Sequence, residues 1–174
     1  LQLREFQNLI GFYVGTGFGC SLIINGDIYC GSRGFAGELG HIPLKNHTGT
    51  CNCGNEGCLE LYGAGRALVD ISQRLQIPVG DFFAKAPLEE QRAFLDYLRV
   101  GMLSTINVFD PEAIIIGGGV VQMEGFPWDE LEKMIREGVR SELIRNELQI
   151  VPSQGETFGG CLGAAYYCFD RLQA

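Results

Sequence analysis

ELGHIPLKNHTGTCNCGNEGCLE, residues 38–60, is the stretch on which the reading of this chain turns. It sets His41, Cys51, Cys53 and Cys58 among glycines and asparagines, in the pattern His-x9-Cys-x-Cys-x4-Cys. One imidazole nitrogen and three thiolates complete a tetrahedral zinc shell. The loop has little apolar material of its own, and ordering it costs about 1–2 kcal/mol per residue in backbone freedom. A metal that displaces the thiol protons would order it. Four good ligands leave no open coordination position, so the zinc reads as structural rather than catalytic. His47 is an alternative to His41, but it lies in a Lys-Asn-His-Thr stretch with flexible character. Glu38 and Glu60 bracket the cluster. Carboxylates held still beside a wet pocket suit a polyol, because each accepts two hydroxyl hydrogen bonds. A charge at a helix N-terminus explains Glu60 equally well.

Upstream, residues 8–14 (NLIGFYV) are β-prone and run into Gly15-Thr16-Gly17-Phe18-Gly19. A second strand-like run over 20–24 closes on Asn25-Gly26, the strongest short hairpin signal, since both residues tolerate positive φ. Ile28 to Cys30 would return, so the chain opens with two or three antiparallel strands. In the Gly15–Gly19 turn, successive small residues let backbone N–H groups converge on an anion, with the Thr16 hydroxyl as a further donor. No helix follows directly, so it matches neither the dinucleotide nor the Walker pattern, and a plain hairpin turn is the competing reading.

Downstream, apolar spacing predicts a helix over 59–75, a short helix or loop over 81–86 and a long helix over 87–109. The long helix presents Phe94, Leu95, Leu98, Met102, Leu103, Ile106 and Phe109 on one face and stops at Asp110-Pro111. Residues 113–116 (AIII) read as a buried strand ending in Gly117-Gly118-Gly119. A buried strand feeding a glycine-rich loop suggests an α/β unit with a ligand at the strand's carboxyl end. A helix over 128–139, a strand over 148–152 and a helix over 159–171 complete one α/β domain.

The 174 residues carry a net charge of −8, which repels phosphate backbones and anionic lipid. Nucleic acid and membrane surfaces are therefore poor partners for this domain. Residues 113–121 form the longest apolar run, too short to span a bilayer, and no signal-like segment opens the chain. A cytoplasmic location is the expectation. Seven cysteines, an odd number, fit poorly with a fully paired secreted framework. Cys20, Cys30, Cys161 and Cys168 sit singly in apolar surroundings and read as buried small hydrophobes.

Phe35-Ala-Gly-Glu-Leu-Gly-His41 followed by Cys51-Asn-Cys-Gly-Asn-Glu-Gly-Cys-Leu-Glu60 resembles the ROK family of sugar kinases and repressors. The Gly15–Gly19 turn and Pro111-Glu112-Ala113 through Gly119 fall in that family's order, so the likeness covers essentially the whole chain. Within the family, residues 107–120 with Phe126-Pro127 look most like a D-allose kinase. The resemblance implies an actin-like ATPase (ribonuclease H-like) fold with an inserted zinc loop over 38–60, and a homodimer. It implies that His41, Cys51, Cys53 and Cys58 hold zinc and that Glu38, His41 and Glu60 face sugar hydroxyls. His41 would give one ring nitrogen to the metal and the other to the substrate. Gly15, Thr16 and Gly17 would touch the phosphates of ATP and its Mg²⁺, with Gly117, Gly118 and Gly119 beside the nucleotide.

Kinases of the family carry an amino-terminal domain with an Asp-x-Gly-x-Thr loop and an Asn-Asp pair supplying the catalytic base; neither is found here, and the chain starts at Leu1 without Met. The expectation is that residues 1–174 are the carboxyl-terminal domain of an ATP-dependent hexose kinase, inactive as a fragment. A further departure is Ala64, where the family often places serine. The competing expectations are the effector domain of a sugar-responsive repressor and a stand-alone zinc-stabilised binding module.

Overall fold

The computed structural model describes residues 6–153. Its centre is a five-stranded sheet in the order β3-β2-β1-β4-β5. β1 (Leu9–Val14) and β2 (Phe18–Ile24) pair antiparallel, as do β2 and the short β3 (Asp27–Ile28). Asn25 and Gly26 both take positive φ, 54° and 80°, and join β2 to β3 as a two-residue turn. β4 (Ala113–Gly117) and β5 (Gln149–Pro152) add on the other side of β1, both parallel. β1 and β4 are central strands covered on both faces, which is why they read as unbroken apolar runs. Phe12, Ile114 and Ile116 are fully buried.

The connection from β3 to β4 contains the cysteine loop and then three helices: α1 (Gly65–Leu75), α2 (Phe82–Lys85) and α3 (Leu88–Phe109). α3 lays Phe94, Leu95, Leu98, Met102, Leu103 and Ile106 into the core, with Phe109 left partly exposed at its end. Asp110 turns left-handed (φ 47°) and closes α3 before Pro111, so the expected stop is met by a backbone reversal. α4 (Trp128–Gly138) packs against α3. α5 (Glu142–Glu147) was not foreseen from apolar spacing; it is short, buries no residue, and is signalled only by Ser141, whose hydroxyl accepts from the Ile144 amide at 3.2 Å. The helix expected over 159–171 lies outside the described residues, as do Cys161 and Cys168. Among the described residues no helix is long and apolar enough to cross a membrane.

One boundary differs from the expectation. The helix predicted from Leu59 begins at Gly65, and residues Leu59–Leu61 form a separate 3₁₀ turn. Extended backbone at Ala64 (φ −140°, ψ 175°) separates the two. Gly63 lies against Tyr97 of α3, and the Gly65 amide donates to the Gly15 carbonyl at 2.7 Å. These close approaches hold the chain off the helical path and swing Glu60 toward the glycine turn.

Candidate functional site

The loop between β3 and α1 is knitted by backbone hydrogen bonds. Isolated bridges join Pro43 to Cys58 and Thr50 to Glu56, the Leu59 amide donates to the Ile42 carbonyl at 2.9 Å, and the Gly54 amide to Cys51 at 2.9 Å. This folding brings His41, Cys51, Cys53 and Cys58 together, with one ligand atom from each lying within 4.8 Å of all the others. Cys51 Sγ is 3.6 Å from His41 Nδ1, and Cys53 Sγ is 3.6 Å from Cys58 Sγ. Cys51 and Cys58 are buried, while Cys53 faces solvent. Burial, followed by the neighbouring thiols of Cys53 and Cys51, pushes the Cys58 thiol up to about 12. The Asn55 backbone amide pulls the Cys53 thiol below its ordinary value. At Cys51 the Cys53 amide lowers the value, but burial and Glu60 outweigh it and the net shift is upward. Three thiols and an imidazole nitrogen at these separations fit the donor set of a tetrahedral zinc site.

His47 has a different place. Its Nδ1 lies 3.0 Å from the Lys45 carbonyl, so Nδ1 carries the proton and Nε2 accepts from the Tyr97 hydroxyl at 3.1 Å. The ring meets Tyr62 edge-on at 4.4 Å and Tyr97 at 5.6 Å. The Tyr62 hydroxyl also accepts from the Gly49 amide at 3.2 Å. His47 therefore clips the loop to α3 and is no rival for His41. Phenylalanine there keeps the ring contacts but loses both polar ones. His47→Phe should lower the melting temperature by about 2–12 °C, for two hydrogen bonds of about 0.5–1.5 kcal/mol each. Differential scanning calorimetry measures this directly.

The two flanking glutamates meet at His41. Glu38 Oε2 lies 3.5 Å from His41 Nε2, and Glu60 Oε1 lies 4.0 Å from His41 Nδ1. Glu60 is only 16% exposed; its Oε1 is 3.2 Å from Cys51 Sγ, and its Oε2 borders the space that a Cβ on Gly17 would fill. Glu38 is more open, at 59%. The imidazole thus turns Nδ1 toward the thiols and Nε2 toward an exposed carboxylate.

The glycine turn and the end of β4 converge on a second feature. Gly15, Thr16 and Gly119 line a cavity of about 540 Å³ together with Gly65, Arg66, Val69 and Asp70 of α1, Val79 and Met123. Of the glycines singled out from sequence, Gly17 instead faces Glu60, Gly117 pairs with Tyr13 in the sheet, and Gly118 packs on the Val14 backbone. Arg66, Val69, Asp70, Val79 and Met123 were missed. Their only sequence signal is that α1 starts beside a glycine turn 50 residues earlier, which spacing along the chain does not show.

A larger groove, about 680 Å³, runs from the β2–β3 edge over residues 31–39 to the end of α3. Phe35 and Val108, 74% and 75% exposed, stand in its wall, and its character is apolar. It does not resemble a polyol site. Cys20, half-buried beside it, is raised to about 11 by burial and by the Glu38 charge, which keeps it a thiol at neutral pH. Cys30 is exposed, against the expectation of a buried small hydrophobe, because the β2–β3 ribbon ends at Ile28 and leaves the following residues at the surface.

Comparison with known proteins agrees with this layout. The model of the ROK family matches residues 2–171. The xylose repressor of Bacillus subtilis (strain 168) is 29% identical over 97% of this chain and 46% of the repressor. The N-acetyl-D-glucosamine kinase of Pasteurella multocida is 28% identical over 92% of this chain and 59% of the kinase. A ROK glucokinase from Streptomyces griseus, solved with glucose and AMPPNP, superposes with a TM-score of 0.79 at 25% identity, over 94% of this chain and 61% of that one. The chain thus spans about half the length of the relatives it matches. These relatives include both sugar kinases and sugar repressors, and they do not reach the D-allose branch. This chain belongs to the ROK family.

Proposed function

We propose that the protein containing this chain phosphorylates a hexose with ATP, D-allose or a related sugar being the substrate. The observation that carries the reading is the contact between Glu60 and Gly17. It places a carboxylate suited to sugar hydroxyls against the same turn whose Gly15 and Thr16 line the glycine-walled cavity. Acceptor and donor sites would therefore meet at one turn, as in-line phosphoryl transfer needs. Glu38 and Glu60 would accept hydroxyl hydrogen bonds from the sugar, and the Nε2–H of His41 would donate one. Gly15, Thr16 and Gly119 would border ATP and its Mg²⁺, with Gly17 turned to Glu60, Gly117 and Gly118 behind them, and the adenine over apolar Val69, Val79 and Met123. His41, Cys51, Cys53 and Cys58 would hold one zinc ion, which supplies rigidity to the sugar grip.

The sugar oxygen bonds to the γ-phosphorus as the bond to ADP breaks, and the hydroxyl proton passes to a base. We place that base in an amino-terminal domain, as the family resemblance implies, so residues 1–174 alone should be inactive. The homodimer belongs to the same proposal, as does the cytoplasmic location.

The test is ADP release by the full-length protein across a hexose panel, with D-allose giving the highest kcat/KM. Glu60→Gln should raise the sugar KM about 10–100-fold, the loss of a charge-assisted hydrogen bond of about 1.5–3 kcal/mol. The second reading, a sugar-responsive repressor, is favoured by the 29% identity to a xylose repressor. Sugar-dependent release of the full-length protein from DNA, with no ADP formed with any hexose, would establish it in place of the kinase.

A further inference from the structure

We infer that Gly17 is a positioning residue of the sugar site, where the missing side chain makes the room that holds the Glu60 carboxylate in place. The inference rests on the reading of Glu60 as a sugar ligand. Gly17 belongs by sequence to a turn of phosphate-binding character, yet it is absent from the wall of the cavity that Gly15 and Thr16 line. A Cβ built on Gly17 would lie 2.8 Å from Glu60 Oε2 and 3.9 Å from its carboxyl carbon, and among the described residues no other heavy atom beyond its chain neighbours comes within 4 Å. Gly17 is not among the positive-φ glycines, so its backbone does not demand glycine. The requirement comes from one neighbour, and that neighbour is Glu60.

The rest of the Glu60 side chain is enclosed. Its other oxygen is 3.2 Å from Cys51 Sγ and 4.0 Å from His41 Nδ1. A Cβ on Gly40 would come within 3.1 Å of Glu60 Cβ, so the stem is also in close company. With the stem and one oxygen held, a methyl group at position 17 can be accommodated only by moving the carboxylate. Movement at the tip of a flexible side chain costs the fold little, because no backbone has to shift. The same movement displaces a hydroxyl acceptor by a distance that matters to binding, where hydrogen-bond geometry is steep.

The consequence is a split between ligands. Calorimetric titration of the full-length protein with D-allose, D-glucose and N-acetyl-D-glucosamine, and separately with AMPPNP, reads it. Gly17→Ala should weaken binding of the preferred sugar about tenfold or more, leave AMPPNP binding within about twofold, and move the melting temperature by less than about 2 °C. Gly15→Ala, at a residue with open space around it in the cavity wall, should weaken AMPPNP and spare the sugar. Shortening the carboxylate, in Gly17→Ala with Glu60→Asp, should recover part of the lost sugar affinity. Weakened AMPPNP with unchanged sugar binding in Gly17→Ala overturns the assignment and returns Gly17 to the phosphates. A fall in melting temperature beyond about 5 °C overturns it too, since the space would then serve the fold. If the wild-type protein binds none of the three sugars, the sugar reading itself fails and the assignment falls with it. Sugar binding without ADP formation removes only the kinase reading, and the Gly17 result still stands on the dissociation constants.

Discussion

Cys58→Ser should strip the full-length protein of the zinc proposed for the loop and lower its melting temperature by about 10 °C. Cys58 is fully buried, and its Sγ lies 3.6 Å from Cys53 Sγ. Serine is smaller but close in shape, so little packing is lost; what goes is the thiolate. Three remaining ligands hold zinc far less tightly, and binding free energy in such loops is folding free energy. Loss of about 3–5 kcal/mol corresponds to roughly 10 °C or more for a domain of this size. Elemental analysis should fall from about one zinc per chain to well below that. Sugar binding should weaken at the same time, because Glu60 follows Cys58 by two residues and touches Cys51. Cys30→Ser, at an exposed thiol away from the cluster, should change neither.

The pH dependence has a definite sign. A thiol raised to about 12 by burial binds metal only by giving up its proton, so acid competes with zinc. Metal content should fall as pH is lowered from 7 to 5. In the metal-free protein the raised Cys58 value works the other way: its contribution to stability is complete below the ordinary thiol value of 9.0 and is lost as pH climbs toward 12. Full zinc and unchanged stability in Cys58→Ser would refute the four-ligand reading.

Local signals along the chain were legible where chemistry acts over a few residues. Asn25-Gly26 announces the β2–β3 turn because both residues must take positive φ, and they do. Ala113–Ile116 announces a strand buried on both faces, and β4 lies between β1 and β5. The cluster of His41 with the three cysteines is legible because its members recur within eighteen residues and one loop gathers them. Contacts between distant segments were not legible. His47 looked like a spare ligand until Tyr62 and Tyr97 enclosed it from 15 and 50 residues away. Gly17 stands in a turn of phosphate-binding character, and its nearness to Glu60, 43 residues on, has no signal along the chain. The α1 boundary failed for the same reason: apolar spacing runs through 59–75, while Gly15 and Tyr97 hold the chain off the helical path at Gly63 to Gly65.

Gly118→Ala should be among the most damaging single changes in the sheet. Gly118 takes φ +106°, a region where a side chain costs about 1–2 kcal/mol. An added Cβ would also lie 2.3 Å from the Val14 carbonyl oxygen and within 2.7 Å of two further Val14 backbone atoms. That obstacle is main chain at the end of a central strand, so no rotamer change relieves it. Relief requires parting the loop after β4 from β1, which also breaks the 3.1 Å hydrogen bond from the Val120 amide to the Val14 carbonyl. Strain, clash and lost hydrogen bond together amount to about 3–5 kcal/mol, or a fall of roughly 10 °C in melting temperature. Gly119→Ala supplies the contrast: its Cβ would meet nothing among the described residues within 4 Å and its φ is ordinary, yet the residue lines the 540 Å³ cavity. It should leave the melting temperature within about 2 °C and weaken AMPPNP binding, because the methyl group fills space the nucleotide would use. Equal melting temperatures for the two variants would show that the loop after β4 yields far more readily than its contacts with Val14 imply. With the expected difference, Gly118 belongs to the fold and Gly119 to the ligand, although the two residues are adjacent and identical.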